Sequence, residues 1–426
     1  MSLRDLRPPA VLAVLAALAV LAYAPSLTLP LISDDYTQLW LGRHYGPAAR
    51  WSELIQDPLY RSRATSIWIT YGTERLFGAS APVLNASSLV LHIINTWLVF
   101  ALGAWRVIGW PVAAVAAAFF AVHEGHQEAV MWYAALPELL VFTFVVLALL
   151  AWIQWVERGA TRPFWYGAAV ALFALALISK ESAVVLAPLA ALVCWTARWS
   201  WKKTAASCWP LAALALADFA LIYAGRGENH HFRDGTFSLA APVWMTLPRS
   251  ALRLFWFWGL ASLAALAVWR VRSRMRLVAV AGAWVAITLL PYSFLTYMPR
   301  VPSRHLYLAS VGLALVVAAA FWAAAERWRR RPWAIGALAA LMVTHNCAYL
   351  WTHKREQYIR RAAPVEGLID FSRQQNGRIE VRCFVYGETV ARHAIEIGAG
   401  KPPGLLVWNP GGPPTGDSAF CDETRP

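Results

Sequence analysis

Eleven runs of apolar residues follow one another along this chain of 426 residues, near 9–30, 82–104, 110–122, 137–156, 164–179, 182–197, 204–224, 243–269, 277–295, 306–325 and 332–351. A helix needs roughly 20 such residues to cross a bilayer, because hydrocarbon offers no partner to an open backbone N–H or C=O. The runs therefore predict an all-α polytopic membrane protein of about 11 spans. Composition agrees, with 59% apolar and 15% charged residues against about 45–50% and about 25% in soluble domains. A soluble globular chain and a polar disordered one are both excluded. The first run resembles a signal peptide. No small-x-small cleavage site precedes the Asp34-Asp35 pair, so it reads as a retained anchor.

The net charge of +14 is a matter of where the cations lie relative to the spans, not of nucleic acid. The doubtful segment is 164–197, which is either one long helix with Lys180 and Glu181 inside it or a helical hairpin with both at its tip. The hairpin puts sixteen Lys and Arg into six short segments on the side of the N-terminus: Arg4 and Arg7, Arg106, 157–163, 197–203, 270–276 and 326–331. A single helix would throw the last three clusters to the other face. The positive-inside rule thus selects the hairpin, with a cytoplasmic N-terminus and a periplasmic C-terminus. The other face then carries a long first loop (30–81), 123–136, the Lys180-Glu181 tip, 225–242, 295–305 and the tail, and these segments hold the polar residues.

The chain divides into a membrane part, 1–351, and a tail, 352–426, that reads as a small α/β domain. Arg378–Tyr386 alternates like a strand, Glu388–Ile397 has helical spacing and Leu405–Trp408 is a second short strand. At about 70 residues such a unit is marginal alone and should lean on the membrane part. Of five Cys, 383 and 421 fall in the tail. They would pair only in an oxidising compartment, and are otherwise two free thiols.

Four constellations carry candidate chemistry. Asp34 and Asp35 follow the first span; adjacent carboxylates at a membrane edge raise one pKa, which suits a general base, while a helix cap is the plainer reading. His123, Glu124, His126 and Glu128 follow the third span, and Glu124 and Glu128 are four apart, as on one helix face. Ionisable residues there are candidates for catalytic or substrate contacts. Their spacing matches no strong zinc signature, so no metal is assigned, although a divalent ion is not excluded. Glu138, after Pro137, reads as a partner of a helix N-terminus. Lys180-Glu181 is either a self-neutralising pair or a cation for an anionic substrate. Arg300, Arg304 and His305 precede a span on the face whose short loops are not Arg-rich, which favours a lipid phosphate over headgroup snorkelling. His230-His231 reads as a solvated loop.

Carboxylates at the ends of two spans and cations from later loops suit displacement of a lipid phosphate from a sugar. The motifs also resemble a known family, the GT-C superfamily of polyprenyl-phosphate-sugar glycosyltransferases. They are most similar to bacterial relatives of the transmembrane and tetratricopeptide repeat O-mannosyltransferases, without the repeats. The stretches are Asp34-Asp35, Pro82 to Asn95, Phe120 to Trp132, Ser179-Lys180-Glu181 with Pro188, and Arg304 to Gly312, in family order over about 30–325. Departures are Glu124 where the family has Pro, and Glu138 where Asp is usual.

The resemblance implies an inverting transferase that moves a hexose, often mannose, from a polyprenyl-phosphate donor to an acceptor hydroxyl on protein, lipid or glycan. Asp34 or Asp35 would be the base, with Glu128 and His123 orienting it or the acceptor. Arg304, Arg300 and Lys180 would hold the donor phosphate, and His126, Glu124, Glu181 and His305 would contact substrate. No cofactor is assigned from it; a divalent metal is possible and not indicated. The bacterial inner membrane is the expected location. A transporter or flippase of a lipid-linked sugar is the rival, since it needs the same cations.

Overall fold

The computed structural model describes residues 8–233, 235–296, 301–411 and 419–422. Arg300 lies outside the described residues, as do Arg4 and Arg7. Seven described helices are long and apolar enough to span a bilayer, three shorter apolar helices lie between them, and Val243–Phe255 with Trp258–Val268 form a pair bent by 85°. These are the eleven segments expected from the sequence, and the chain is a polytopic helical membrane protein.

Their ends sort into two sets. At one end Arg106 pairs with Glu157 at 2.7 Å and Arg274 with Glu326 at 2.8 Å. There too the Trp105 indole donates to Thr196 Oγ1 at 2.8 Å, and Arg276 to the Thr196 carbonyl at 2.5 Å. At the other end Asp35 meets Ala134, Lys180 meets Glu138, and Glu128 meets Arg304. Thr196 and Lys180 thus lie at opposite ends, as the hairpin requires. The helix Pro163–Leu177 stops, and a new one begins at Glu181.

Helix length shapes the second end. Trp110–Val122 has 13 residues, so it rises about 20 Å, short of an apolar slab of about 30 Å. The chain beyond it, a 3-10 turn Glu124–His126 and the short helix Gln127–Met131, is consequently sunk among the spans. Irregular backbone is tolerated at such depth only where protein or a cavity surrounds it. Here buried polar residues pin it. His126 Nε2 meets Ser310 Oγ at 2.7 Å, His92 Nδ1 meets the Tyr307 hydroxyl at 2.7 Å, and Thr143 donates to Asn95 Oδ1 at 2.6 Å. The central helix Ser310–Arg327 packs closely because Gly312 has no Cβ; one there would lie 2.6 Å from the Ala281 carbonyl oxygen.

The last span does not stop at the membrane. Its helix continues unbroken from Pro332 to Gln374 and leads into a sheet of three parallel strands, β1 (Ile379–Cys383), β2 (Leu406–Trp408) and β3 (Phe420–Cys421), in the order β2-β1-β3. β3 is the strand that sequence periodicity missed, being two residues long. This domain leans on the membrane part as expected: His393 stacks on Trp40 with centroids 4.7 Å apart, and Tyr358 donates to Gln127 Oε1 at 2.7 Å. Cys383 and Cys421 form a disulfide, and Cys194, Cys208 and Cys347 are free. Alkylation of the denatured protein is therefore expected to label three cysteines without reductant and five with it, counted by intact mass. Five labels without reductant would remove the disulfide.

Candidate active site

A cavity of about 880 Å³ opens at the end away from the Arg clusters, walled by the first loop, the segment 132–138, the hairpin tip and the segment 304–305. The Asp pair meets it unequally. Ser33 takes a left-handed φ of +44°, which is uncommon outside glycine. The Asp35 carboxylate folds back: Oδ2 accepts from the Ile32 N–H at 2.8 Å and Oδ1 from the Ala134 N–H at 2.7 Å. Asp35 is 2% exposed. Asp34, one residue earlier, stays open to solvent and lines the cavity. Its side chain makes no helix cap, and among the described residues its one hydrogen bond is from Ser33 Oγ at 3.4 Å. Burial pushes Asp35 up to about 7, opposed by the two amides and assisted by Asp34. The protein around Asp34 raises its carboxyl as well, with Arg304 opposing. Asp34 is therefore the carboxylate of the pair that remains available to a substrate, and Asp35 is spent on the backbone.

Arg304 is held beside it. Its backbone N–H donates to Glu128 Oε2 at 3.1 Å, and its guanidinium stands 3.8 Å from the same oxygen. Burial would raise Glu128, but Arg304 outweighs it and keeps the carboxyl below its ordinary range. The Arg304 and Arg361 guanidiniums stand 5.0 and 4.9 Å from the centroid of the Trp132 ring, within cation–π range. Arg361 comes from the helix that continues the last span, so the tail side of the chain adds a cation to the site.

Deeper in the cavity wall, Glu138 (3% exposed) accepts from Lys180, from His305 Nδ1 at 2.5 Å and from the Tyr292 hydroxyl at 2.9 Å. Tyr292 stacks on His305 with centroids 4.4 Å apart. Burial and Lys180 push His305 down, so it is neutral at pH 7 and gives its Nδ1 proton to Glu138. Glu181 pairs instead with Arg63 at 2.7 Å.

Several expectations are thereby revised. Lys180 and Glu181 do not neutralise each other. Lys180 has an extended backbone (φ −169°, ψ 145°), and successive side chains of extended chain point to opposite sides. Glu138 is the centre of an ionic cluster, not merely a dipole partner. Glu124 and Glu128 do not share a helix face, because the chain passes from a 3-10 turn to an α-helix between them. Glu124, His123 and His126 line a separate cavity. Of the predicted residues, Asp34, Glu138, Lys180, Glu181, Arg304 and His305 come together in the first cavity, and Glu128 backs it through Arg304. Sequence reasoning missed Arg63, which lines the same cavity, and Arg361. The argument that singled out Arg304, an Arg where the short loops of that face are not Arg-rich, could not find Arg63, which is one of five Arg in the long first loop. Among the described residues no group of three or more His, Cys, Asp or Glu could hold a metal ion.

Comparison with solved structures agrees with this architecture. The chain superposes on ArnT from Cupriavidus metallidurans, bound to undecaprenyl phosphate, with a TM-score of 0.61 and 14% identity, over 93% of this chain and 85% of ArnT. The archaeal oligosaccharyltransferase AglB from Archaeoglobus fulgidus, in complex with an inhibitory peptide and a dolichol-phosphate, matches with a TM-score of 0.54 and 12% identity, over 94% of this chain and 64% of AglB. Neither a protein-family model nor a curated protein matches the sequence. At such identities the likeness is one of fold. The chain has the fold of these membrane proteins, the GT-C fold to which its motifs pointed.

Proposed function

We propose that the chain is an inverting glycosyltransferase that moves a hexose from a polyprenyl-phosphate donor to an acceptor hydroxyl, with Asp34 as general base. The observation that carries this reading is the division of labour in the Asp pair: one carboxylate consumed by backbone amides, its neighbour open on the wall of a cavity that also presents Arg304 and Arg63. In the step, the acceptor oxygen attacks the anomeric carbon on the side opposite the phosphate, and its proton passes to Asp34. The bond from that carbon to the phosphate oxygen breaks, and the carrier leaves as a polyprenyl phosphate anion. Arg304 and Arg63 receive the developing charge. Glu128 and the Trp132 ring aim Arg304, and Arg361 stands over the same ring; Glu138, Lys180 and His305 hold the wall. Apolar residues such as Phe219, Ile222 and Leu295 line the same cavity, as a lipid carrier requires. The undecaprenyl phosphate bound to ArnT and the dolichol-phosphate in complex with AglB support a polyprenyl-phosphate ligand. Mannose is the first sugar to try.

The site would face the periplasm of a bacterial inner membrane, with the N-terminus cytoplasmic. The Arg-rich ends lie opposite the cavity, and the disulfide-bearing tail packs on the cavity side.

The test is made on purified protein in liposomes, with labelled polyprenyl-phosphate mannose or glucose and a mixture of peptide, lipid and glycan acceptors. Label leaving the carrier and appearing on an acceptor supports transfer. Intact labelled lipid crossing the bilayer, in wild type and in the Asp34→Asn variant alike, would replace this reading by a flippase. The base also sets a pH dependence. A raised Asp34 pKa means the active, ionised form is lost as pH falls, and lost at a higher pH than for an ordinary carboxylate near about 3.9. The acid limb of kcat/KM is expected above that value; a flat profile down to pH 4 would count against Asp34.

A further inference from the structure

A second cavity, of about 730 Å³, lies across the wall from the first. The wall is two segments with divided loyalties. Ser303 and Leu306 line the second cavity, while Arg304 and His305 line the first. Gln127 closes it by donating to Ser303 Oγ at 2.7 Å. Three cations line the second cavity: Arg249 and Arg253, four apart on the helix Val243–Phe255, and Lys354. Arg253 is anchored through Nη1 to the Val301 carbonyl at 2.7 Å. Arg249 makes no hydrogen bond or ion pair among the described residues.

Two polar residues of the same lining stand beside the cations. Glu124 Oε2 and His126 Nδ1 are buried and make no hydrogen bond among the described residues, and Glu124 Oε2 stands 3.7 Å from His345 Nδ1. Ser310 Oγ lies 2.7 Å from both the Tyr307 carbonyl oxygen and His126 Nε2, and its one proton can go to only one of them. His126 Nδ1 is accordingly a donor or an acceptor, and a hydroxyl, which is both, suits it in either tautomer. Cations alone would suit any anion. Cations beside a carboxylate oxygen and a ring nitrogen that lack hydrogen bonds suit a phosphate that carries hydroxyl groups.

The rim is apolar and exposed. Leu252 and Trp256 line the cavity and are 56% and 68% exposed. Leu252 belongs to, and Trp256 directly follows, a helix turned 85° from the apolar helix after it. Such a helix, cationic on one side and apolar on another, lies where headgroups and acyl chains meet.

We propose that the second cavity binds the headgroup of a membrane lipid whose phosphate bears a polyol. Its phosphate would lie between Arg249, Arg253 and Lys354, and its hydroxyls would donate to Glu124 and pair with His126 Nδ1. The inference concerns binding and does not depend on sugar transfer.

Native mass spectrometry of the full chain, with no sugar donor present, tests it. Phosphatidylglycerol supplies the phosphate and hydroxyls; phosphatidylcholine supplies a phosphate without them. The wild type is expected to retain phosphatidylglycerol at least about tenfold better, the equivalent of one charge-assisted hydrogen bond. The double variant Arg249→Gln/Lys354→Gln should lose that preference with an unchanged melting midpoint. Arg329→Gln/Arg330→Gln, at the opposite end of the spans, should keep it. Competition by glycerol 3-phosphate would show that the headgroup suffices, and its absence with the preference intact would show that acyl chains are needed; either result retains the site. A preference that survives in Arg249→Gln/Lys354→Gln, or that falls equally in the control variant, would overturn it in favour of non-specific lipid around the spans.

Discussion

Asp34→Asn is expected to lower transfer by about 10²–10⁴-fold, the usual range for loss of a positioned general base, and to leave the melting midpoint where it was. Asp34 is solvent-accessible and its side chain has one long contact, to Ser33, so little of the fold depends on its charge. Asp35→Asn should behave in the opposite way. Each Asp35 oxygen accepts a backbone N–H, from Ile32 and from Ala134. The amide of Asn can satisfy only one of them and turns a donor toward the other, a cost of about 1–3 kcal/mol in a buried site. The Asp35→Asn protein should melt earlier and lose activity only as far as the first loop is displaced. Transfer and thermal unfolding measured on both variants separate the two roles. Normal turnover by Asp34→Asn, with Asp35→Asn folded and inactive, would reverse the assignment.

The contrast between those neighbours explains how far the sequence could be read. The spans and the hairpin were legible because a bilayer imposes one-dimensional rules. Apolar length and Arg placement leave few arrangements, and the contacts Arg106–Glu157 and Trp105–Thr196 at one end, against Lys180–Glu138 at the other, follow from them. The location of the polar residues at one end was legible for the same reason. Which residue does what was not. Asp34 and Asp35 differ only through a left-handed turn at Ser33 and an amide 99 positions away, at Ala134. Lys180 ignores the adjacent Glu181 for Glu138, 42 positions away. Local spacing holds no record of such pairings. Arg361 was hidden for another reason: it sits in a helix that reads as tail, yet that helix is the continuation of the last span and returns its side chains to the site.

The Glu138 cluster should be the place where the membrane part is most easily broken. Glu138→Gln leaves Lys180 and His305 buried without the anion that accepts from both. Breaking one partner of a buried pair typically costs about 3–5 kcal/mol, because the remaining charge is uncompensated. The variant is therefore expected to melt well below the wild type or to be recovered poorly in detergent. A second change tells structure from chemistry. Glu138→Gln/Lys180→Met removes both charges, and replacing a whole buried pair by apolar groups is often nearly neutral. If the pair serves only to hold the wall, the double variant should regain most of the melting midpoint and, with it, transfer. If Lys180 also touches the donor phosphate, the double variant should fold yet bind polyprenyl phosphate more weakly than the wild type. Failure of the double variant to recover stability would show that Glu138 is needed for the hydroxyl of Tyr292 and the ring of His305 rather than for the Lys180 charge, since the amide of Gln has one acceptor oxygen and can keep only one of those two contacts in either variant.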